Sequence, residues 1–189
     1  EQKHTEDRLF AADEVVKSPG IPDTIPLILE LKKKGIPVIS EIEFAARYTD
    51  AKIIGVTGSN GKTTTTLLIG HMLKKAGFNV GVAGNLGESF AMQVATKKHD
   101  LYVLELSSFQ LDGIKEFKPD IAVLLNITPD HLDRYNNEME NYIQSKFRIT
   151  MNQVESNYFI YCSDDQNIQK SLAEVRANLL PFSIKSKQI

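Results

Sequence analysis

The chain has 189 residues, of which 42% are hydrophobic and 24% are charged, and its formal net charge is −2. This composition is ordinary for a globular protein and excludes disorder and collagen-like structure. The nearly balanced charge gives no indication of binding to nucleic acid or to an anionic membrane. No run of apolar residues approaches the length of about 18 that a transmembrane helix needs. A single cysteine, Cys162, excludes a disulfide framework and a thiolate metal cluster. Residues 1–7 are polar and unlike a signal peptide, so we expect a cytoplasmic protein. The length of the chain predicts one or two domains.

The first third of the chain has short, broken elements. Residues 14–17 predict a brief strand, which Pro19 and Pro22 must end because proline disfavours both ladder pairing and helix. A helix is predicted over residues 26–34, since a proline opens it, lysines fill its last turn and Gly35 follows.

Two further elements follow in the same region. Residues 36–39 predict a short strand. Ser40 lies three residues before Glu43, a capping-box spacing that predicts a helix over residues 41–47. This first block is too small to be a whole α/β domain, and we place a domain boundary after residue 48.

The second block, residues 49–189, alternates strands and helices. The predicted strands are residues 53–56, 80–83, 101–104, 121–125 and 158–161. The predicted helices are residues 62–76, 138–151 and 166–175. Four side chains form the predicted apolar face of the first of these helices: Leu67, Leu68, Met72 and Leu73. The alternation predicts an α/β fold, a mostly parallel sheet with flanking helices in right-handed βαβ units.

The strongest local signal is the segment Gly-Val-Thr-Gly-Ser-Asn-Gly-Lys-Thr (55–63), between a predicted strand and a predicted helix. Glycines let consecutive N–H groups turn inward around an anion, and the following helix adds its positive end. Lys62 would reach the β- and γ-phosphates, and the Thr63 hydroxyl would ligate magnesium. The usual phosphate-loop pattern is a glycine, four other residues and then Gly-Lys-Ser/Thr, which would place the first glycine at the position of Val56. This chain has Gly58 closer to the lysine instead, so the loop is a variant of that pattern. We predict phosphate binding; the alternative is an ordinary glycine-rich turn.

Polar residues also follow other strands that should end at the same sheet edge. Glu105 ends one strand and could contact magnesium, or could be a solvated acid. The segment Asn-Ile-Thr-Pro-Asp-His-Leu-Asp (126–133) could ligate a hard cation or form a turn before the next helix. Asn85 could contact a substrate or cap a helix. Lys146 shares a helix face with apolar residues, and the residue type alone favours a side chain that reaches water.

Together these segments resemble the Mur ligase family of peptidoglycan synthesis. The matching segments are Gly-Val-Thr-Gly-Ser-Asn-Gly-Lys-Thr-Thr (55–64), Gly-Asn-Leu-Gly (84–87), Leu-Glu-Leu-Ser-Ser-Phe-Gln-Leu (104–111), Asn-Ile-Thr-Pro-Asp-His-Leu-Asp-Arg-Tyr (126–135) and Ser-Lys-Phe-Arg-Ile (145–149). Ser-Pro-Gly-Ile (18–21), Ser-Glu-Ile-Glu (40–43) and Phe109 resemble the branch that adds D-glutamate, because sister ligases typically have histidine at the last position. The resemblance spans nearly the whole chain.

The resemblance implies that the chain is a fragment of a three-domain enzyme. Residues 1–48 would be the C-terminal part of a Rossmann-like UDP-substrate-binding domain, and residues 49–189 most of a P-loop NTPase-like ATP-binding domain. The C-terminal amino-acid-binding domain would be absent. The implied reaction is ATP-dependent addition of D-glutamate to UDP-N-acetylmuramoyl-L-alanine through an acyl phosphate, for cell-wall growth, cell division and cell shape. We expect a monomer with no nucleic-acid partner and no membrane insertion, and a fragment that is inactive alone.

The resemblance also implies roles for individual residues. The nucleotide-binding residues would be Gly58, Ser59, Asn60, Gly61, Lys62, Thr63 and Thr64. Two magnesium ions would be held by Thr63, Glu105, His131 and Lys146, the last as a carbamate. The catalytic residues would be Lys62, His131 and Lys146. The substrate contacts would be Ser18, Gly20, Asn85 and Ser107. The family often has Asn-x-Asp-Asp where this chain has Cys-Ser-Asp-Asp (162–165), which leaves an adenine contact from that asparagine position unsupported.

Two alternatives stay open. Another Mur-type or folylpolyglutamate-type amide ligase would share the fold and the phosphate loop. A P-loop nucleotide-binding module without ligase chemistry would use Lys62 and Thr63 but would have no use for His131 or Lys146.

Overall fold

The computed structural model describes residues 6–185, so residues 1–5 of the polar N-terminal segment lie outside it. The strands are β1 (Val15–Lys17), β2 (Val38–Ser40), β3 (Lys52–Thr57), β4 (Val80–Gly84), β5 (Leu101–Glu105), β6 (Ile121–Leu124), β7 (Tyr158–Cys162) and β8 (Asn178–Phe182). The α-helices are α1 (Glu6–Phe10), α2 (Pro26–Lys33), α3 (Glu41–Ala46), α4 (Lys62–Lys75), α5 (Phe90–Thr96), α6 (Ser108–Asp112), α7 (Met139–Phe147) and α8 (Gln166–Lys170). Within this range, no helix combines the length and the apolar character needed to cross a bilayer.

Two parallel sheets form from these strands. β1 pairs with β2, and the other six strands lie in the order β4-β5-β3-β6-β7-β8 with every neighbouring pair parallel. This confirms the predicted α/β fold with a mostly parallel sheet. From β3 the chain crosses to the edge strand β4, returns to β5 beside β3, and then adds β6, β7 and β8 on the other side of β3, an arrangement that opens a crevice at the carboxyl ends of the central strands.

Helix α4 packs on one face of the large sheet, but of the four side chains expected from the sequence only Leu73 takes part. Leu67, Leu68 and Met72 are 50%, 55% and 61% exposed, so the predicted apolar face is wrong for these three. The buried residues of the helix are Thr66 and Gly70, and Ile69 packs beside Leu73 against the sheet. A Cβ on Gly70 would lie 2.5 Å from Val82 Cγ2, so the small residue permits a close approach that a leucine-lined face would prevent.

The opposite face of the sheet packs against α5, α6 and α7 through the larger core cluster, which contains Phe90, Leu111 and Phe147. The structure ends two predicted helices early, because 3₁₀ segments (Arg148–Thr150 and Leu172–Glu174) follow α7 and α8. The elements that the sequence did not predict are α1, α5, α6 and β8.

Candidate functional site

The loop between β3 and α4 is shaped by two glycines. Gly58 and Gly61 have φ angles of +149° and +83°, which side-chain-bearing residues rarely adopt. A Cβ on Gly58 would also lie 3.1 Å from Leu125 Cβ. Gly61 is the N-cap of α4 and has no side chain to bond the first-turn amides, so the helix start can receive an anion.

The segment after β6 forms a wall beside this loop. The Ser59 amide donates to the Asn126 carbonyl (3.0 Å), and the Ser59 hydroxyl donates to the Thr128 carbonyl (2.9 Å). The Asn60 amide donates to Asn126 Oδ1 (2.8 Å), and the Asn60 side chain donates to Thr128 Oγ1 (3.1 Å). The first part of the predicted 126–133 segment therefore lies directly against the phosphate loop.

A buried carboxylate lies on the other side of the loop. Thr63 Oγ1 donates to Glu105 Oε2 at 2.6 Å, and Asn85 Nδ2 donates to Glu105 Oε1 at 2.9 Å. Gly84 makes this approach possible, since a Cβ there would lie 2.2 Å from the Glu105 carbonyl oxygen. The alternative that Asn85 caps a helix is wrong, because Ser89 is the N-cap of α5.

Thr63 and Glu105 suit a magnesium ion. Within residues 6–185, no group of three or more His, Cys, Asp or Glu side chains could hold a metal ion. Magnesium nevertheless prefers one or two protein oxygen ligands together with phosphate and water. A hydroxyl and a carboxylate within 2.6 Å of each other, beside a phosphate loop, fit that requirement.

Two lysines bond to the same oxygen of the loop. Lys62 Nζ donates to the carbonyls of Gly58 (2.9 Å) and Ser59 (3.0 Å), and Lys146 Nζ donates to the Gly58 carbonyl (2.9 Å). Lys146 is only 1% exposed, so the expectation that its side chain reaches water is wrong. Its ammonium instead lies 4.5 Å from the centre of the Tyr142 ring. Burial, together with the positive charge of Lys62, lowers the pKa of Lys146 to about 7.

The other predicted site residues lie farther out. His131 has a left-handed backbone (φ 48°) and a side chain that is 60% exposed. Its ring centre is 5.5 Å from that of Phe109, and its Nε2 is 3.7 Å from Asp130 Oδ1. Ser107 caps α6, where its hydroxyl accepts from the Gln110 amide.

A cleft of about 530 Å³ separates the turn after β1 from α6 and α7. Asp23 and Thr24 line one wall, and Phe109, Asp112 and Arg148 line the other. The predicted Ser18 and Gly20 belong to the turn that leads into the first wall. The structure thus brings the phosphate loop, Asn85, Glu105 and Lys146 together. It places the other predicted residues elsewhere: Ser18 and Gly20 in the turn after β1, Ser107 at the start of α6, and His131 beside Phe109 of the cleft wall.

Sequence reasoning missed Tyr142 and Asp165. The Tyr142 hydroxyl lies 3.2 Å from Ser59 Oγ, and its spacing of four residues from Lys146 on one helix face was the available signal. Asp165 Oδ2 accepts a hydrogen bond from the Ile127 amide at 2.7 Å and so holds the segment after β6 beside the phosphate loop. That long-range contact has no local signature.

The fold and the site together define a P-loop NTPase-like nucleotide-binding domain. Its features are a parallel sheet with a glycine-rich loop after the central strand, a lysine and a threonine at the start of the next helix, and a carboxylate that faces them. The Mur ligase middle domain model matches residues 56–189, and the chain belongs to this family. The resemblance found in the sequence is therefore confirmed.

One relative is the UDP-N-acetylmuramoylalanine–D-glutamate ligase of Bacteroides fragilis. It is 63% identical over 185 residues, which are 97% of this chain and 42% of that protein. The chain thus spans less than half the length of this relative.

Two solved structures share the fold. The MurF ligase from Thermotoga maritima in complex with ADP has a TM-score of 0.62 and 22% identity, over 94% of this chain and 52% of that one. The UDP-N-acetylmuramate:L-alanyl-gamma-D-glutamyl-meso-diaminopimelate ligase from Neisseria meningitides has a TM-score of 0.65 and 18% identity, over 94% and 61%.

Proposed function

We propose that the chain belongs to an ATP-dependent ligase that adds D-glutamate to UDP-N-acetylmuramoyl-L-alanine. Residues 1–48 are assigned to the end of the UDP-substrate-binding domain and residues 49–189 to the central ATP-binding domain. The observation that carries the proposal is the convergence of Thr63, Glu105 and the two lysines on one phosphate loop. The name of the 63% identical relative supports the choice of substrates.

The proposed reaction has two steps. The alanyl carboxylate of the acceptor attacks the γ-phosphoryl group of ATP, which gives an acyl phosphate and releases ADP. The amine of D-glutamate then attacks the acyl carbon, and phosphate leaves as the amide forms. The protein supplies alignment and charge neutralisation rather than a covalent side chain.

The loop residues have separate tasks in this scheme. The loop amides and the start of α4 hold the phosphates of ATP. Lys62 exchanges its carbonyl partners on Gly58 and Ser59 for phosphate oxygens, because a charged acceptor binds an ammonium more strongly than a neutral carbonyl does. Thr63 and Glu105 are the candidate ligands of one magnesium ion. Bound magnesium neutralises phosphoryl oxygens.

Lys146 is the candidate for carbamylation by carbon dioxide. Only an uncharged amine attacks carbon dioxide, and a pKa of about 7 makes that form abundant at neutral pH. The modification would replace a buried ammonium by an anion with oxygen donors. His131 would be the candidate ligand of a second magnesium ion or the candidate contact of the substrate carboxylate.

The test measures D-glutamate addition by the full-length ligase that contains this chain. Replacing Lys62→Met should lower kcat by about 10³-fold, because a charge that stabilises the transferring phosphoryl group is lost. Lys74→Met, in the last turn of the same helix, should stay within about twofold. Addition of L-glutamate to a folate instead would overturn the proposal and favour the folylpolyglutamate-type alternative. ATP hydrolysis without any amide product would favour the nucleotide-binding module.

The chain by itself is proposed to lack turnover, since it covers 42% of the length of its ligase relative. Amide formation by the 189-residue chain would contradict this part of the proposal.

A further inference from the structure

A glutamate of the first block is bonded to the second block. The carboxylate of Glu43, on α3, has no exposed surface. One of its oxygens, Oε2, accepts hydrogen bonds from three consecutive amides in the loop after α6: Lys115 (2.8 Å), Glu116 (3.0 Å) and Phe117 (2.9 Å). Three donors on one oxygen form a complete anion site that this side chain fills from 72 or more residues away.

The second oxygen of Glu43 has a cationic partner. Arg47 Nη2 donates to Glu43 Oε1 at 3.2 Å, and the same guanidinium donates to both oxygens of Glu14 at 2.8 and 3.2 Å. Next to this pair, the Ser40 amide donates to the Gly113 carbonyl at 2.9 Å. A Cβ on Gly113 would lie 2.6 Å from the Ser40 nitrogen, so glycine allows the two backbones to touch.

These contacts differ from an ordinary helix cap. In a capping box, Glu43 would bond back to the Ser40 amide, but that amide is used by Gly113. Only the Ser40 half forms, where Oγ accepts from the Glu43 amide at 3.2 Å. Burial alone would raise the pKa of Glu43, yet the three amides and Arg47 outweigh burial and hold the pKa below its usual value. The side chain is therefore an ionised link between the two blocks.

The loop that Glu43 binds also fixes α6. Arg148 Nε donates to the Leu111 carbonyl (2.7 Å), and its Nη2 donates to the Ile114 carbonyl (2.6 Å). The end of α6 is thus held by the 3₁₀ segment after α7 on one side and by α3 on the other. α6 supplies one wall of the 530 Å³ cleft, and the first block supplies the opposite wall.

We propose that Glu43 is a positioning residue that sets the separation of these two walls and thereby the affinity for the UDP-linked substrate. Glu43 itself contacts no reacting atom. The identity of the substrate rests on the proposed function.

The experiment compares steady-state constants of the full-length ligase and its Glu43→Gln variant. The amide keeps the volume of the side chain but presents an NH₂ group either to Arg47 or to the three loop amides. We expect KM for UDP-N-acetylmuramoyl-L-alanine to rise about tenfold, since small misplacements in a substrate cleft have effects of this size or larger. KM for ATP should stay within about twofold, because the Glu43 carboxylate bonds to the loop after α6 and to Arg47 and not to the phosphate loop.

The matched control is Glu14→Gln, which removes the outer partner of Arg47 and leaves the three amide bonds intact. Its KM values should stay within about twofold. Hydrogen exchange should show faster exchange of the amides of residues 115–117 in Glu43→Gln and not in Glu14→Gln. If Glu43→Gln does not fold, Arg47→Met replaces it, with an expected rise of about threefold in KM for the UDP-linked substrate alone.

The outcomes separate the inference from the proposed function. An active wild-type ligase with an unchanged KM for the UDP-linked substrate in the folded variant overturns the positioning role and leaves the ligase assignment intact. An equal rise of both KM values also overturns it, since a general loss of structure would explain the result. A wild-type enzyme without D-glutamate ligation overturns the proposed function and the substrate named here with it.

Discussion

Lys146 and Glu43 are both buried ionisable side chains, yet their surroundings favour opposite charge states. Glu43 is held in its ionised form, whereas Lys146 is shifted towards its neutral form. Glu43 has three amide donors and an arginine, and its pKa lies below the usual value. Lys146 has one carbonyl acceptor, which it shares with Lys62, and its pKa falls to about 7. Burial alone therefore does not define the role of an ionisable group. A fully paired charge joins parts of a structure, whereas an underpaired charge is available for chemistry.

The largest expected effect is on catalysis at the underpaired charge. Lys146→Met should reduce kcat of the full-length ligase by about 10³-fold, because the uncharged amine and its proposed carbamate are both lost. The measurement is D-glutamate addition at saturating bicarbonate. Lys170→Met on α8, an exposed lysine, serves as the control. Full activity of Lys146→Met would remove this side chain from the proposed mechanism.

The next effect concerns stability at the fully paired charge. Glu43→Gln should lower the free energy of unfolding by about 3 kcal/mol at pH 7, because it leaves three buried amide donors without a charged acceptor and removes one of the two carboxylate partners of Arg47. The lowered pKa means that ionised Glu43 stabilises the fold above its unfolded-state pKa, and that this is lost as the pH falls through the folded-state pKa. Urea titrations should therefore show the deficit shrinking below about pH 4. A deficit that does not vary with pH would contradict an ionised Glu43.

Replacing Lys146 should change the free energy of unfolding in the opposite direction to replacing Glu43. Because the folded-state pKa is lower than the unfolded one, burying this group destabilises the fold most at and below pH 7. Lys146→Met should raise the free energy of unfolding by about 3 kcal/mol at pH 6. This gain should shrink as the pH rises above the folded-state pKa and should vanish only above the unfolded-state pKa of about 10.4, where both states of the wild type hold a neutral amine. Chemical denaturation at pH 6 and pH 9.5 measures the difference, and equal gains at both would disprove it.

The smallest effect on the free energy of unfolding is expected at a partly exposed ion pair. Glu14 forms the outer ion pair with Arg47, where both partners are partly exposed to solvent. Glu14→Gln should change the free energy of unfolding by no more than about 0.5 kcal/mol, since water screens such pairs. Thermal unfolding of Glu14→Gln and Glu43→Gln side by side checks the ranking. A larger loss in the Glu14 variant would reverse the roles assigned to the two carboxylates.

The features that could be predicted from the sequence are local ones. The phosphate loop and the strand before it show themselves through glycine spacing and a β-branched run, and the structure forms both as expected. The exposed side of α4 could not be found by counting apolar residues. Thr66 and Gly70 pack against the sheet because they are small enough for a close approach, and this leaves Leu67 and Leu68 in solvent.

The two buried charges depend on partners far away in the chain. Lys146 bonds to a carbonyl 88 residues earlier, so the usual preference of lysine for water was a poor guide. Glu43 bonds to amides 72–74 residues later, whereas its spacing from Ser40 indicated a purely local role. Sequence patterns report the residues that neighbour each other on one element, and they carry little information about contacts of this kind.

The oxygen of Gly58 has two lone pairs, and an ammonium occupies each of them. If a phosphate drew Lys62 away, as proposed, the unmodified Lys146 would still tie the loop to α7. The loop would therefore keep one of its two lysine contacts while the other is exchanged.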